Sequence, residues 1–230
     1  MRERPGVSPR SAERRTPATI DVAVLTPRGR QLAVLLARKA VPRASWELPW
    51  SDLRNGEALD AAARRLVRQA SGADPAWLEQ VGAFGDGKRH PAGLELSVCF
   101  AALLPHEPAA EDETKAKWFD ASALPALAPR QRAMTDAALQ EVRRRMDHSP
   151  VAFRLLPDVF TLSDLQQMYE LLLGRRLHKA SFRRALQAAF LVEPTDEWRS
   201  EGRGRPAQLF RYAPRRRRGG RRPVRFDLLA

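Results

Sequence analysis

The segment from about Glu57 to Ser71 constrains the fold more than any other, because its apolar residues recur at helical spacing. That spacing predicts an amphipathic helix with one broad buried face, and Gly72 is a natural C-terminal stop. The stretch before it, WELPWSDLRN, reads as the end of a strand followed by a loop. The apolar positions of the predicted helix are Leu59, Ala62, Ala63, Leu66, Val67 and Ala70.

Strand patterns surround this helix. IDVAVL and LAVLLAR flank the turn signal TPRGRQ and predict a β-hairpin of two buried strands. WLEQVGAF and LELSVCFAALL predict two more strands joined by the polar loop GDGKRHPAG, and WFDASALPALA predicts a strand and a turn. A second helix is expected from about Arg130 to Met146. The alternation predicts an α/β or α+β domain over residues 18–148.

The next part of the chain has a different order of elements. FTLSDLQQMYELLLG predicts a short strand and a helix capped by Thr161 or Ser163 and ended by Gly174. RRLHKASFRRALQAAF predicts a second helix, and the residues after it predict two strands around a glycine-rich basic tip. This order is that of a winged helix-turn-helix domain, placed here at residues 149–214. The residues expected to be buried in its second helix are Phe182, Leu186, Ala189 and Phe190.

Positive charge is concentrated in the C-terminal third. The formal net charge of the chain is +13, and residues 149–230 hold 17 Arg and Lys against eight Asp and Glu. A basic domain attached to a nearly neutral one indicates a polyanion partner for the basic part. Residues 1–17 are expected to form a disordered basic N-terminus, and residues 215–230 a low-complexity basic tail that either contacts DNA or stays solvated.

Two further observations concern the cellular compartment in which the protein works. No apolar run is long enough to cross a bilayer, and the basic N-terminus is not followed by a signal-peptide core. The single Cys99 cannot form an internal disulfide and lies in an apolar run, so it is expected to be buried. The sequence therefore predicts a cytoplasmic protein.

The loop and helix of residues 46–72 resemble the Nudix box. Leu48-Pro49 and Gly56-Glu57 match the loop leading into the box, and Trp50-Ser51 stands where the family has Gly-Gly. Arg65, Val67 and Gly72 match the arginine, the apolar residue and the glycine of the signature. The three glutamates of the signature are replaced by Leu66, Gln69 and Ala70.

The replaced glutamates would lie on one helical face and hold Mg²⁺, which activates water and clamps a diphosphate. Leucine and alanine supply no ligand, and glutamine supplies one neutral oxygen. The sequence therefore predicts no metal site, no resident cofactor, no catalytic residue and no ordinary Nudix hydrolysis. The rival enzyme hypothesis is a hydrolase of ADP-ribose with relocated metal ligands, namely Glu57, Glu95 and Asp86.

From about Thr19 to Tyr212 the chain resembles the Nudix-related transcriptional regulators of the NrtR family, which join a Nudix-like domain to a winged helix. The segments that carry the resemblance are DPAWLEQVGAFGDGKRHPAG, KWFDASALPALA, LLPDVFTLSDLQQMYELLLGRRLHKASFRRAL and GRGRPAQLFRY. It implies a dimeric DNA-binding repressor or activator of NAD-related or sugar-related genes. We expect a repressor, and a dimer of winged helices is expected to bind a palindromic operator. In the NAD branch the effector is ADP-ribose or a relative. The other alternative is a Nudix-like domain that serves only as a dimerisation platform.

Candidate binding residues follow from this reading. In the second helix of the winged unit, Arg suits guanine edges and Gln suits adenine, although the sequence does not separate base from phosphate contacts. In the first domain, tryptophans suit stacking on a base and a loop arginine suits a phosphate, with core packing and an ordinary polar loop as alternatives. The candidate DNA-binding residues are Lys179, Ser181, Arg183, Arg184, Gln187, Arg175, Arg176, Arg199, Arg203 and Arg205. The candidate ligand-binding residues are Trp46, Trp50, Glu57, Arg65, Asp86, Lys88 and Arg89.

Overall fold

The structure is a computed structural model that describes residues 18–38, 46–106, 115–146, 149–200 and 206–213. Its first part contains seven strands and two long helices; the short strand Trp50–Asp52 lies where the sequence predicted a loop, and the other elements follow the expected order. The strands are β1 Ala18–Arg28, β2 Gln31–Arg38, β3 Trp46–Glu47, β4 Trp50–Asp52, β5 Trp77–Phe84, β6 Leu96–Leu103 and β7 Ala116–Asp120. The helices are α1 Leu59–Ser71 and α2 Pro129–Arg145.

One mixed sheet organises this part, with β1 at its centre. The sheet order is β3-β2-β1-β6-β5, with β4 paired to β1 and β7 paired to β2. β1 runs parallel to β6 and antiparallel to β2 and β4. Strands flank β1 on both edges and a helix packs on each face of the sheet, so all of its residues from Ala18 to Thr26 are buried.

The two long helices cover opposite faces of this sheet. α1 packs Ala62, Ala63, Leu66 and Val67 against one face, in a core with Ile20 and other even-numbered β1 residues. α2 packs Met134, Ala138 and Val142 against the other face. The period-2 alternation of β1 side chains explains why each face receives its own apolar set. The predicted α/β sandwich is confirmed.

The C-terminal unit has the predicted winged helix arrangement. It comprises a 3-10 turn Ala152–Leu155, β8 Val159–Thr161, α3 Leu162–Leu173, α4 Lys179–Ala189, β9 Val192–Arg199 and β10 Ala207–Tyr212. The three strands form a separate sheet in the order β8-β10-β9. Phe153, Phe160, Tyr169 and Phe182 pack together and hold α3 and α4 on this sheet.

The ends of α3 are fixed by its sequence. Thr161, rather than Ser163, is the cap: its hydroxyl accepts from the Asp164 N–H, and the Asp164 carboxylate accepts from the Thr161 N–H in return. Gly174 ends the helix with φ of 70°. This backbone conformation favours glycine, which explains the stop.

Two local expectations were wrong. α1 begins at Leu59 rather than Glu57, because Gly56 adopts a turn with φ of 75° and Ala58 is the residue before the helix. Phe190 was expected to be buried but is 46% exposed. It follows the last residue of α4 in a left-handed conformation, with φ of 52°, so the helical spacing no longer sets its direction. Cys99 is buried, as expected.

Candidate functional site

The predicted ligand residues of the Nudix-like box contact each other. The Arg65 guanidinium donates to both carboxylate oxygens of Glu57, at 2.8 and 2.9 Å, and lies 3.4 Å from the Ser51 hydroxyl. The hydrogen bond from Arg65 lowers the pKa of Glu57, and the same bond raises the pKa of Arg65. This ion pair fastens the loop before α1 to the helix and occupies the Glu57 carboxylate.

The loop between β5 and β6 carries the second group of predicted ligand residues. Lys88 places its ammonium 2.8 Å from Asp86, and its N–H donates to the same carboxylate. These contacts with Lys88 lower the pKa of Asp86. Arg89 is exposed, and its carbonyl accepts from the N–H of Arg130 in the first turn of α2. Both cations of this loop are exposed, and Lys88 is the one that is paired with Asp86.

The two tryptophans lie in different surroundings. Trp50 donates from its indole to Glu47 at 2.9 Å and meets the ring of His90 edge-on, with centroids 5.3 Å apart. It therefore adjoins the β5–β6 loop. Trp46 packs edge-on against Phe119, with the Arg38 guanidinium over its ring. Trp46 thus has packing partners of its own, and its predicted stacking role stays a prediction.

A buried polar network below these loops was not predicted. Asp21 on β1 is fully buried and accepts from the Thr19 hydroxyl, the His90 ring and the Gln131 amide at 2.8, 2.9 and 3.0 Å. His90 Nδ1 accepts from the Ala92 N–H, so Nε2 carries the proton donated to Asp21. The signal available in the sequence was a carboxylate inside an otherwise apolar strand.

The carboxylates named for a relocated metal site are not gathered. Glu57 is paired with Arg65, Asp86 with Lys88, and Glu95 is exposed. Within the described ranges, no group of three or more His, Cys, Asp and Glu residues is arranged to hold a metal ion. Leu66, which stands at one glutamate position of the box, is 5% exposed and packs in the core.

The outer face of α4 is the candidate nucleic-acid interface. Lys179, Arg183, Arg184 and Gln187 are exposed on this helix, opposite the buried Phe182 and Leu186. Ser181 is half-buried, with its hydroxyl 3.1 Å from the ring of His178. The helix therefore presents three cations and one amide together, which is the donor set that reads guanine and adenine edges.

A groove runs from this face to the start of α3. Its volume is about 460 Å³, and its cations are Lys179 and Arg183. The first turn of α3 contributes Ser163, and β10 contributes Gln208. A helix N-terminus with two cations beside it favours a phosphate. Neither Ser163 nor Gln208 was among the predicted DNA-binding residues. The sequence does not show that β10 lies beside the first turn of α3.

Arg175 and Arg176 lie elsewhere. They line a separate cleft of about 400 Å³ together with Gly29 and Arg30 at the turn of the β1–β2 hairpin. Arg176 also pairs with Glu170 at 3.2 Å. The structure therefore does not bring these two arginines together with the groove at the start of α3.

Arg199 has a structural partner that the sequence did not reveal. Its Nη2 lies 2.8 Å from both carboxylate oxygens of Asp164, whose carboxylate also accepts from the Thr161 N–H at the start of α3. The contact ties β9 of the wing to the start of α3, and the DNA contact predicted for Arg199 stays a prediction. Arg203, Arg205, residues 1–17 and the tail at residues 215–230 lie outside the described residues.

An α/β sandwich with a degenerate Nudix-like box, followed by a winged helix with a basic recognition face, defines a class of two-part regulators. Comparisons with known proteins agree. The NUDIX domain model matches residues 15–138, and the NrtR DNA-binding winged helix domain model matches residues 152–212. The chain belongs to the NrtR family of Nudix-related transcriptional regulators.

Two relatives cover most of the chain. It is 31% identical to the ADPR responsive transcriptional repressor NtrR of Acinetobacter baylyi, over 85% of this chain and 81% of that protein. It is 28% identical to Shewanella oneidensis NrtR in a crystal structure complexed with a 27mer DNA, with a TM-score of 0.72. That match covers 86% of this chain and 94% of the other. No helix in the described ranges is long and apolar enough to span a membrane.

The Asp164–Arg199 pair predicts a pH-dependent stability. Burial raises the pKa of Asp164, but hydrogen bonds from Arg199 and Thr161 outweigh it and hold the pKa below its usual value of 3.8. Because the pKa of Asp164 is lower in the folded chain than in the unfolded chain, its ionised carboxylate stabilises the fold above about pH 4. This contribution is lost as the pH falls and the carboxylate is protonated. Arg199→Met is expected to lower the unfolding free energy by about 1 kcal/mol at pH 7 and by less at pH 3.5.

Thermal unfolding followed by circular dichroism at the two pH values measures this difference. Arg211→Met is the control, because Arg211 pairs with Glu193 on the exposed side of the wing and should cost less than about 0.5 kcal/mol. An equal loss of unfolding free energy in Arg199→Met at both pH values would contradict a stabilising ion pair between Arg199 and Asp164.

Proposed function

We propose that this chain is a DNA-binding transcriptional repressor whose Nudix-like domain senses ADP-ribose or a related nucleotide and controls NAD-related genes. The observation that carries the proposal is the likeness to the Acinetobacter repressor, whose name describes it as ADPR responsive. We read ADPR as ADP-ribose. The basic outer face of α4 supports the DNA-binding half independently.

The work is divided between the two parts of the chain. Residues 18–148 form the effector-binding domain and residues 149–214 the DNA-binding domain in this proposal. The chain acts as a homodimer, because two winged helices related by a two-fold axis match the two halves of a palindromic operator. Binding occurs in the cytoplasm, where the operator and the nucleotide are both present.

On the DNA side, α4 enters the major groove. Arg183, Arg184 and Gln187 are proposed to reach base edges, while Lys179 and the first turn of α3 hold a phosphate. The groove between α3, α4 and the wing supports this assignment, since its cations and helix N-terminus face the same space. Arg203 and Arg205 are proposed to contact DNA from the tip of the wing.

On the effector side, Trp50 and the β5–β6 loop form the proposed nucleotide site. Arg89 is placed to face a phosphate because its side chain is exposed while Asp86 and Lys88 neutralise each other. Glu57 and Arg65 shape the loop at the border of the site rather than contact a metal. A base could stack on the exposed part of the Trp50 ring.

We propose that the domain has no hydrolase activity. Support comes from the residues at the glutamate positions of the box: Leu66 is in the core, Gln69 is neutral and Ala70 has no ligand atom. Sensing without hydrolysis also suits a regulator, because the effector persists after binding. The proposal leaves the platform alternative to be tested by the effector titration below.

The first test is fluorescence anisotropy with a labelled duplex from upstream of the chain's own gene, with excess nonspecific competitor DNA. We expect competitor-resistant binding that ADP-ribose weakens, because the ligand favours an arrangement of the winged helices that does not fit the operator. Binding that resists competitor but ignores ADP-ribose would support the platform alternative. Loss of all binding to competitor would argue against this operator.

The second test separates phosphate from base contacts by salt. Each neutralised phosphate contributes roughly one unit to the slope of log affinity against log salt. Lys179→Ala is expected to reduce the slope by about one and to weaken all duplexes alike, whereas Arg183→Ala should also lower the preference for operator over scrambled duplex. Arg132→Ala, an exposed ion-paired arginine on α2, is the control and should change neither quantity.

The third test addresses hydrolysis directly. Incubation of the protein at high concentration with ADP-ribose and Mg²⁺ is expected to release no AMP, because the box lacks the oxygen ligands that hold the metal. Chromatography of the reaction products measures this. AMP release that scales with protein concentration and disappears in Glu57→Gln would instead support the relocated-ligand hydrolase.

A further inference from the structure

The first turn of α2 touches both loops of the proposed nucleotide site. Its N-terminus has no side-chain cap and no acidic residue in the first turn. The N–H of Arg130 is instead satisfied by the carbonyl of Arg89 in the β5–β6 loop. This N–H at the start of α2 is therefore satisfied by the β5–β6 loop rather than by a capping side chain of α2.

Gln131 joins this turn to the loop of residues 46–52. The side chain is fully buried, and its Oε1 accepts from the Leu48 N–H at 3.1 Å. Its Nε2 donates to Asp21 at 3.0 Å and lies 3.5 Å from the Leu48 carbonyl. The adjacent Pro49 carbonyl accepts from the Val22 N–H on β1. One amide thus connects α2, the central strand and the loop that carries Trp50.

Arg130 joins the same turn to the β5–β6 loop. It is 2% exposed, and its Nη1 donates to the Leu94 carbonyl at 2.6 Å and lies 3.5 Å from the Ser97 hydroxyl. Its Nε lies 3.9 Å from Asp86 and has no hydrogen-bond partner in the described part of the chain. A small displacement of the loop carrying Asp86 would change the contact made by this buried cation.

The other end of α2 reaches the winged helix. α2 has 17 residues, so it spans about 25 Å. At its end, Met146 shares a core with Val151 and Leu165. The Arg143 guanidinium adjoins Gly174, where a methyl group added to the glycine would lie 3.3 Å from Nη2. α2 therefore contacts the loop of residues 46–52 and the β5–β6 loop at its start, and the winged helix near Gly174 at its end.

We propose that Arg130 and Gln131 form a coupling pair that transmits effector binding from the two loops through α2 to the winged helix. This inference rests on the proposed function and deepens it by naming its regulation. A ligand seated on Trp50 and the β5–β6 loop displaces the backbone that these two side chains hold. Because α2 is rigid, its first turn and its contact with α3 move together.

Gln131→Met tests the proposal in the full-length chain. Methionine keeps the length and apolar stem of the side chain but removes the bonds to Leu48 and Asp21. Thr135→Val is the matched control: Thr135 is equally buried one turn along α2, and its hydroxyl donates to the Gln131 carbonyl within the same helix. The measured quantity is the coupling factor, the operator Kd with saturating ADP-ribose divided by the Kd without it.

The wild-type coupling factor is expected to lie between about 5 and 150. In Gln131→Met it should fall to within about threefold of one, while the operator Kd without ligand changes less than about threefold. Calorimetry on the DNA-free protein should still detect ADP-ribose binding. Thr135→Val should keep the wild-type factor. Arg130→Lys keeps the positive charge but not the guanidinium group, so it should lower the coupling factor too. This variant replaces Gln131→Met in the test if Gln131→Met does not fold.

The outcomes separate the coupling from the function. A wild-type factor retained in Gln131→Met, or in Arg130→Lys where that variant stands in, overturns the coupling pair and leaves the repressor intact. An equal loss of the factor in Thr135→Val also overturns it, because the effect is then general to polar residues buried in α2. A wild-type protein that binds its operator with a factor of one overturns the proposed ADP-ribose response, and the coupling pair with it.

Discussion

The structure of the first domain depends on one buried charge. Asp21 lies in the middle of the central strand, and its three donors come from three places in the chain: Thr19 on β1, His90 in the β5–β6 loop and Gln131 on α2. A buried carboxylate without such partners is strongly destabilising, so these elements must meet in one geometry for the domain to fold. Burial raises the pKa of the neighbouring Cys99, with a smaller contribution from the Asp21 charge, and keeps this thiol protonated.

The degenerate box keeps the shape of the family's loop and helix by other contacts. The Glu57–Arg65 pair fixes the loop against α1, and Trp50 is held by Glu47 and by the edge of His90. Leu66 adds apolar contact where the family's metal ligand would have a charge. Hydrophobic packing and one ion pair thus stabilise a loop and helix that would surround a metal if the family's glutamates were present.

The sequence predicted what depends on neighbours along the chain. Helical spacing located α1 and α2, the Pro-Gly signal located the β1–β2 hairpin, and Gly174 marked the end of α3, because each rests on local backbone preferences. It could not predict the network of Asp21, whose partners His90 and Gln131 are 69 and 110 residues away. The separation of 35 positions between Asp164 and Arg199 hid their ion pair in the same way, so the sequence showed Arg199 only as a candidate DNA-binding cation.

Charge counted from sequence therefore overstates the charge available to DNA. Of the arginines in the winged unit, Arg199 is paired with Asp164 and Arg176 with Glu170, and both acids are held in place by hydrogen bonds with backbone N–H groups. The pair of Arg199 with Asp164 is partly buried and stabilises the wing, whereas the Arg176 side chain stays 75% exposed beside its partner. Within the described part of the winged unit, α4 places three exposed cations on one helix, opposite its buried residues. In the proposed function, sequence preference comes mainly from that helix, and the paired arginines help to position it.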